Sequence, residues 1–235
     1  MRRRPLIWLA VIAALSVIVS VQVMSTASEP DRMVARADVP TVAPGIDVLQ
    51  GITIVPQRVR GYDYQRSAFG DAWTDENSAP GGHNGCDTRD DILDRDLVDK
   101  TYVSTKRCPQ AVATGELHDP YTSTTIPFTR GANVGQAVQI DHLVPLAYAW
   151  DMGARNWPAD MRIRFANDPA NLLAVAGQVN QDKGDLPPGS WMPPNHAFWC
   201  QYSMQFIAVL RGYSLPVDQA SADELRQAAA SCPSR

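Results

Sequence analysis

Apolar positions fall along this chain in three regimes. Pro5 to Met24 is an apolar run without a charged side chain. Ser28 to Gly45 is polar and proline-containing, with no steady period, and reads as a linker. From Gly45 onward the spacing specifies elements. "GIDVLQGITIVPQRV" reads as a strand, or a short helix leading into one. Ile92, Leu93, Leu97 and Val98 lie near helical spacing, with Thr88 as the expected cap and Asp90 and Asp91 in the first turn. Cys108 to Gly131 predicts short strands, with turns at Gly115 and at Asp119 to Thr122. Val138 to Val144 predicts a strand. Pro145, three residues after His142, predicts a break there. Helices are expected over Ala147 to Trp157 and Ala159 to Asp168, parted by Pro158. "NLLAV", from Asn171, is strand-like, and "GQVNQDKGD" opens a polar helix. A proline-rich loop, Leu186 to Asn195, precedes an apolar helix over His196 to Leu215. Ser221 and Glu224 form a capping-box pattern for a last helix.

Charge changes the picture at the N-terminus. Arg2, Arg3 and Arg4 precede the apolar run, as in an export signal. The run is about as long as a membrane span, roughly 20 residues, so it is either a cleaved signal or an uncleaved anchor. Both readings export the rest of the chain, because the positive charge stays inside. The expected organisation is a signal or anchor over 1–24, a linker over 25–48 and one domain over 49–235. The expected location is secreted, or extracellular and membrane-anchored. No protein partner is expected, and the domain is read as a monomer.

The chain has 21 basic and 25 acidic side chains. Such a balance excludes nucleic-acid binding through bulk charge, so any polyanion site must be local. Cys86, Cys108, Cys200 and Cys232 are an even set in an exported chain, which points to two disulfides. Three pairings exist, and sequence order favours Cys86–Cys108 with Cys200–Cys232. Each would stabilise by roughly 3 kcal/mol in the chain-entropy model. Zinc is the alternative, but no Cys-x-x-Cys pair supports it.

The candidate chemistry gathers around "QIDHLVPL", Gln139 to Leu146, in a chain with four histidines. Asp141 and His142 are adjacent, and adjacent strand residues point to opposite faces. Asn171 follows on the next strand-like segment. Asn180 and Lys183, three apart, share a helix face. A carboxylate and an amide oxygen suit a hard divalent cation. A neutral histidine can take a proton from water, and a lysine can meet a phosphate. The bland readings are a structural histidine, a turn-capping Asp141, a turn Asn171 and a solvated face for Asn180 and Lys183. Arg89 is a further candidate for phosphate contact, against a salt bridge to Asp90, Asp91 or Asp94. Trp150, Trp157, Trp191 and Trp199 read as packing residues.

"IDHLVPL…NLLAV…NQDKGD" resembles the HNH, or ββα-metal, endonucleases. Their signature runs Asp-His-Ile-x-Pro, then Asn-Leu, then His or Asn followed by x-x-Lys. The wider pattern, Gly61 to Cys232, with "NGCDTRDD", "DPYT" and "FANDPANLLAV", resembles a secreted bacterial subgroup related to the nuclease domain of restriction enzymes that cut modified DNA. The resemblance implies an α+β fold: a ββα unit with added helices and disulfide-bridged loops. It implies an exported, metal-dependent endonuclease acting on DNA, with RNA as the alternative. Asp141 matches the carboxylate metal ligand, His142 the general base, and Asn171 the asparagine that holds the histidine loop. Asn180 occupies the last metal-ligand place, where many members have histidine, and Lys183 the lysine after it, read as catalytic or phosphate-contacting. The implied cofactor is Mg2+, with Mn2+ the alternative. The rival function is a non-catalytic cell-envelope domain that keeps the fold.

Overall fold

The computed structural model describes residues 39–131 and 134–234. The expected export segment and residues 25–38 lie outside them. Residues 39–48, expected to be linker, belong to the fold. Val42 bridges to Ser234 and donates its amide to the Pro233 carbonyl at 3.0 Å. Asp47 pairs with Arg226 at 3.0 Å. The polar residues that look like linker are partners of the C-terminus.

Strand β1 (Ile54–Val55) pairs in parallel with a strand near the C-terminus, β7 (Val217–Asp218). Helix α1 (Thr88–Asp96) is capped by Asp87 rather than Thr88, because the Asp87 carboxylate accepts the Asp90 amide. The helix stops at Asp96. Leu97 and Val98 therefore belong to strand β2 (Leu97–Val103), not to a helical stripe. Pairing with β3 (Ala111–His118) holds this segment extended, and β4 (Thr125–Thr129) completes an antiparallel sheet. Gly115, expected in a turn, sits inside β3. A Cβ there would lie 3.0 Å from the Val98 carbonyl oxygen, where β2 is irregular. The turn falls at Asp119 to Thr122, where the Asp119 carboxylate accepts the Thr122 amide at 3.0 Å.

A short helix, α2 (Val134–Ala137), leads into β5 (Val138–His142), which pairs antiparallel with β6 (Leu172–Ala176). The strand ends at His142, two residues earlier than expected. Between the two strands lie α3 (Leu146–Asp151) and α4 (Ala159–Asn167). The first is shorter than its pattern, since Gly153, at φ +127, turns the chain after it. One 3-10 turn, Pro169–Asn171, capped by the Asp168 carboxylate, delivers the chain to β6. Helix α5 (Gly177–Lys183) starts directly after β6. Only glycine fits at 177, because a Cβ would meet the Gln136 carbonyl oxygen at 1.8 Å. This close approach lays α5 across β5 and β6, giving a ββα unit.

Helix α6 (Trp199–Gly212) is preceded by a 3-10 turn capped by Asn195. Helix α7 (Gln219–Ala229) is capped by Asp218, whose carboxylate accepts the Ser221 amide. Ser221 is therefore inside the helix, and the expected capping box does not form. The disulfides join Cys86 to Cys108 and Cys200 to Cys232, the pairing that sequence order favours.

The core has two parts. One lies among α3, α4, α6 and α7, around Tyr148, Phe165, Phe206 and Leu225. The other lies between α1 and the two antiparallel sheets, around Ile92, Leu117, Phe128, Ile140 and Leu172. The architecture is α+β. Among the described residues no helix is long and apolar enough to cross a membrane.

Candidate active site

Alternation along β5 divides its side chains between two environments. Val138 and Ile140 enter the core beneath α1. Gln139 and Asp141 meet α5 instead: Asn180 Nδ2 donates to Gln139 Oε1 at 2.8 Å, and Lys183 Nζ donates to both Asp141 oxygens at 2.8 and 2.7 Å. The two-residue repeat of the strand thus matches the three-residue step of the helix.

Lys183 is fully buried, with 0% of its surface exposed. Its ammonium also donates to the carbonyls of His142, at 2.8 Å, and Leu143, at 3.3 Å. It lies 5.9 Å from the Trp191 ring centroid. Burial lowers its pKa, and the Asp141 carboxylate opposes that shift. Every polar partner of Nζ is an acceptor, so the nitrogen is protonated. Tyr121, also buried, donates its hydroxyl to Asp141 Oδ2. Burial, then the Asp141 charge, holds that phenol well above its ordinary pKa.

His142 faces the other way. Its ring stacks on Trp73, with centroids 5.4 Å apart and planes 11° apart. Nε2 is 2.9 Å from the Ala166 carbonyl oxygen at the end of α4. A carbonyl only accepts, so Nε2 carries the proton and Nδ1 the lone pair. Nδ1 has no partner. Among the described residues Tyr202 Oη is the one buried side-chain polar atom without a partner, so Nδ1 is not sealed from solvent. Burial pushes the ring's pKa down to about 3; the Ala166 bond opposes this, and the Arg66 and Lys183 charges add to it. The ring is neutral at neutral pH.

His142 lines a cavity of about 230 Å³, with Arg66, Gly70, Asp71, Trp73, Ala166 and Asn167 among its walls. Arg66 is exposed, and among the described residues no hydrogen bond or ion pair engages its guanidinium. Asp71, at the same cavity, carries the opposite charge. Trp73 holds a left-handed backbone at φ +59, a strained conformation for a bulky side chain. The Thr88 amide donates to its carbonyl at 3.1 Å, and Thr88 Oγ1 donates to Asn167 Oδ1 at 2.9 Å. The start of α1 therefore ties the Trp73 loop to the end of α4.

Asn171 is buried and closes the end of the hairpin. Its Oδ1 accepts the Val144 amide at 2.8 Å, its Nδ2 donates to the Val144 carbonyl at 3.2 Å, and its own carbonyl accepts the Leu143 amide at 2.9 Å. These bonds end β5 at His142 and fix the turn to Pro145.

The structure thus brings Asp141 to Lys183, and Asn171 to the chain beyond His142. It does not bring the Asp141 carboxylate to the His142 ring. Lys183, expected to meet a phosphate, is buried on Asp141 instead, because α5 packs it inward. Arg89 is half-buried, and among the described residues it forms no ion pair with Asp90, Asp91 or Asp94. Its guanidinium donates to the Val138 carbonyl at 3.1 Å. Trp73, Arg66 and Tyr121 were not foreseen. Trp73 and Arg66 lie in "YDYQRSAFGDAW", which has no periodic pattern, and Tyr121 lies in the turn "DPYT".

An α+β domain with a ββα unit and a buried Asp-His hairpin has the form of a nuclease-like domain. Residues 87–228 match the family described as GmrSD restriction endonucleases, C-terminal domain, and the chain belongs to that family. It is also 33% identical over 220 residues to a protein of Arthroderma benhamiae (strain ATCC MYA-4681 / CBS 112371) named "Uncharacterized secreted protein", covering 93% of this chain and 98% of the relative. No solved structure matches. Membership implies a nucleic-acid substrate and suggests a divalent metal. The relative's name and the two disulfides are consistent with an extracellular location.

The residues expected to hold that metal do not fit it. Both oxygens of Asp141 accept from Lys183, and Oδ2 also accepts from Tyr121. A divalent ion would have to sit against a buried ammonium. Asn180 retains only its amide oxygen. Among the described residues no three His, Cys, Asp or Glu side chains are grouped around a point suited to a metal.

Proposed function

We propose that residues 39–235 form an exported nuclease domain that hydrolyses phosphodiester bonds in DNA, with RNA as the alternative substrate, and that His142 is its general base. The observation that supports this reading is the His142 ring, proton-bearing at Nε2 and lining a cavity with Arg66, whose guanidinium has no partner among the described residues. In this reading Nδ1 takes a proton from water. The water oxygen attacks phosphorus in line, and the 3′-oxygen departs with the bonding pair. Arg66 meets the charge that builds on the phosphate oxygens. A bound phosphate also offsets the Arg66 charge, which raises the affinity of His142 for the proton it must accept. Asn171 positions the loop, and Trp73 holds the ring flat against it. Residues 1–24 deliver the domain across the membrane, as a signal or an anchor, and it acts as a monomer. No step is assigned to Mg2+ or Mn2+ on Asp141 and Asn180.

The test is cleavage of plasmid, single-stranded DNA, double-stranded DNA and RNA, each with Mg2+, Mn2+ or EDTA. His142→Ala should lose about 10²–10⁴-fold in rate. Equal cleavage by wild type and variant would remove the base assignment. No cleavage of any substrate by the wild type would favour a non-catalytic envelope domain.

A further inference from the structure

We infer that Lys183 is a built-in cation at Asp141, which closes to divalent metals the position where a ββα nuclease hairpin offers its carboxylate. The inference goes beyond the role of His142 and stands without it. Three features carry it. First, four oxygens surround one nitrogen: both carboxylate oxygens of Asp141 and the carbonyls of His142 and Leu143, at 2.7 to 3.3 Å. Such an all-oxygen shell is what a hard cation requires, and here an ammonium fills it. Second, the shell is sealed. Lys183 is wholly buried, Asp141 is 4% exposed, and the Trp191 ring centroid lies 5.9 Å from Nζ. Third, the cage is built by the fold rather than by side-chain drift. The hairpin closure by Asn171 aims the two carbonyls, and the start of α5 at Gly177 sets the depth at which Lys183 arrives.

A metal could enter only by expelling the ammonium, and the lysine has no exposed route to follow. Removing the ammonium should instead leave the oxygens open. The site thus holds a cryptic divalent-cation site whose present occupant is the chain's own side chain. The carboxylate is neutralised within the fold, independent of the metal content of the surroundings.

The experiment is Mn2+ titration of the exported chain by electron paramagnetic resonance, for wild type, Lys183→Met and Lys183→Met with Asp141→Asn. The wild type should show no Mn2+ binding that depends on Asp141. Lys183→Met should bind at least tenfold more tightly, and Asp141→Asn should abolish the gain. A folded Lys183→Met variant without that gain would overturn the inference. If the variant does not fold, the wild type decides. The ¹⁵N-labelled ammonium of Lys183, followed by NMR, should keep its signal in millimolar Mg2+. Loss or displacement of that signal would show metal entering the cage. None of these readouts involves cleavage, so a failure of the His142 assignment leaves them intact.

Discussion

Protonating His142 should destabilise the fold under acidic conditions, and the cost can be worked from the site. The ring is 7% exposed, and burial with two nearby cations lowers its pKa from 6.5 to about 3. The unfolded chain takes the proton first, near pH 6.5. The contribution is therefore complete above pH 6.5 and is lost as pH falls from there towards 3. Between pH 7 and pH 5 the loss is about 2 kcal/mol, at about 1.4 kcal/mol per pH unit below 6.5. Aspartates contribute a slope of their own, so the measurement is a difference. Urea unfolding of wild type and His142→Gln, followed by tryptophan fluorescence at pH 7 and pH 5, isolates the ring. The wild type should lose about 2 kcal/mol more than the variant over this interval. Equal losses in the two proteins would mean that the folded ring protonates as freely as the unfolded one, and the buried, neutral base would be wrong.

Asn171→Ala removes both side-chain partners of Val144. With two buried backbone groups left unpaired, urea unfolding should show a loss of about 3 kcal/mol. Cleavage should fall with it, if Asn171 holds the turn beside His142. Replacing both Cys200 and Cys232 by serine opens a link spanning 32 residues. Denaturant unfolding should then show a loss of about 3–4 kcal/mol in the chain-entropy model. Arg66→Ala should weaken single-turnover cleavage by about tenfold or more while leaving the unfolding midpoint at neutral pH unchanged, since among the described residues no hydrogen bond or ion pair engages its guanidinium.

The local order Asp141-His142, Asn171, Asn180, Lys183 made the ββα unit legible, because each residue sits at a fixed place in a strand, a turn or a helix. The depth of those residues was not legible. Spacing of three puts Asn180 and Lys183 on one helix face, yet it does not say whether that face meets solvent or the hairpin. That is decided by the close approach of Gly177 to the Gln136 carbonyl, a long-range contact with no periodic trace. The same holds for Leu97 and Val98, where helical spacing lost to pairing with β3. Trp73 and Arg66 come from an aperiodic loop about 70 residues upstream, so no pattern linked them to His142.

Adjacency of an acid and a base in one strand invites the reading that they act together, but the alternation of the strand argues the reverse. The peptide between Asp141 and His142 divides two electrostatic environments. On the α5 side the charge of the carboxylate is met by a buried ammonium and a phenol. On the α4 side a neutral ring faces a cavity that an unpaired guanidinium also reaches. The two are joined through the backbone, since the His142 carbonyl is itself a partner of Lys183. Disturbing the cage should therefore move the ring, and disturbing the ring need not open the cage. That asymmetry sets the roles apart: Lys183 and Asp141 hold the hairpin in place, and the proposed chemistry of His142 falls at its edge.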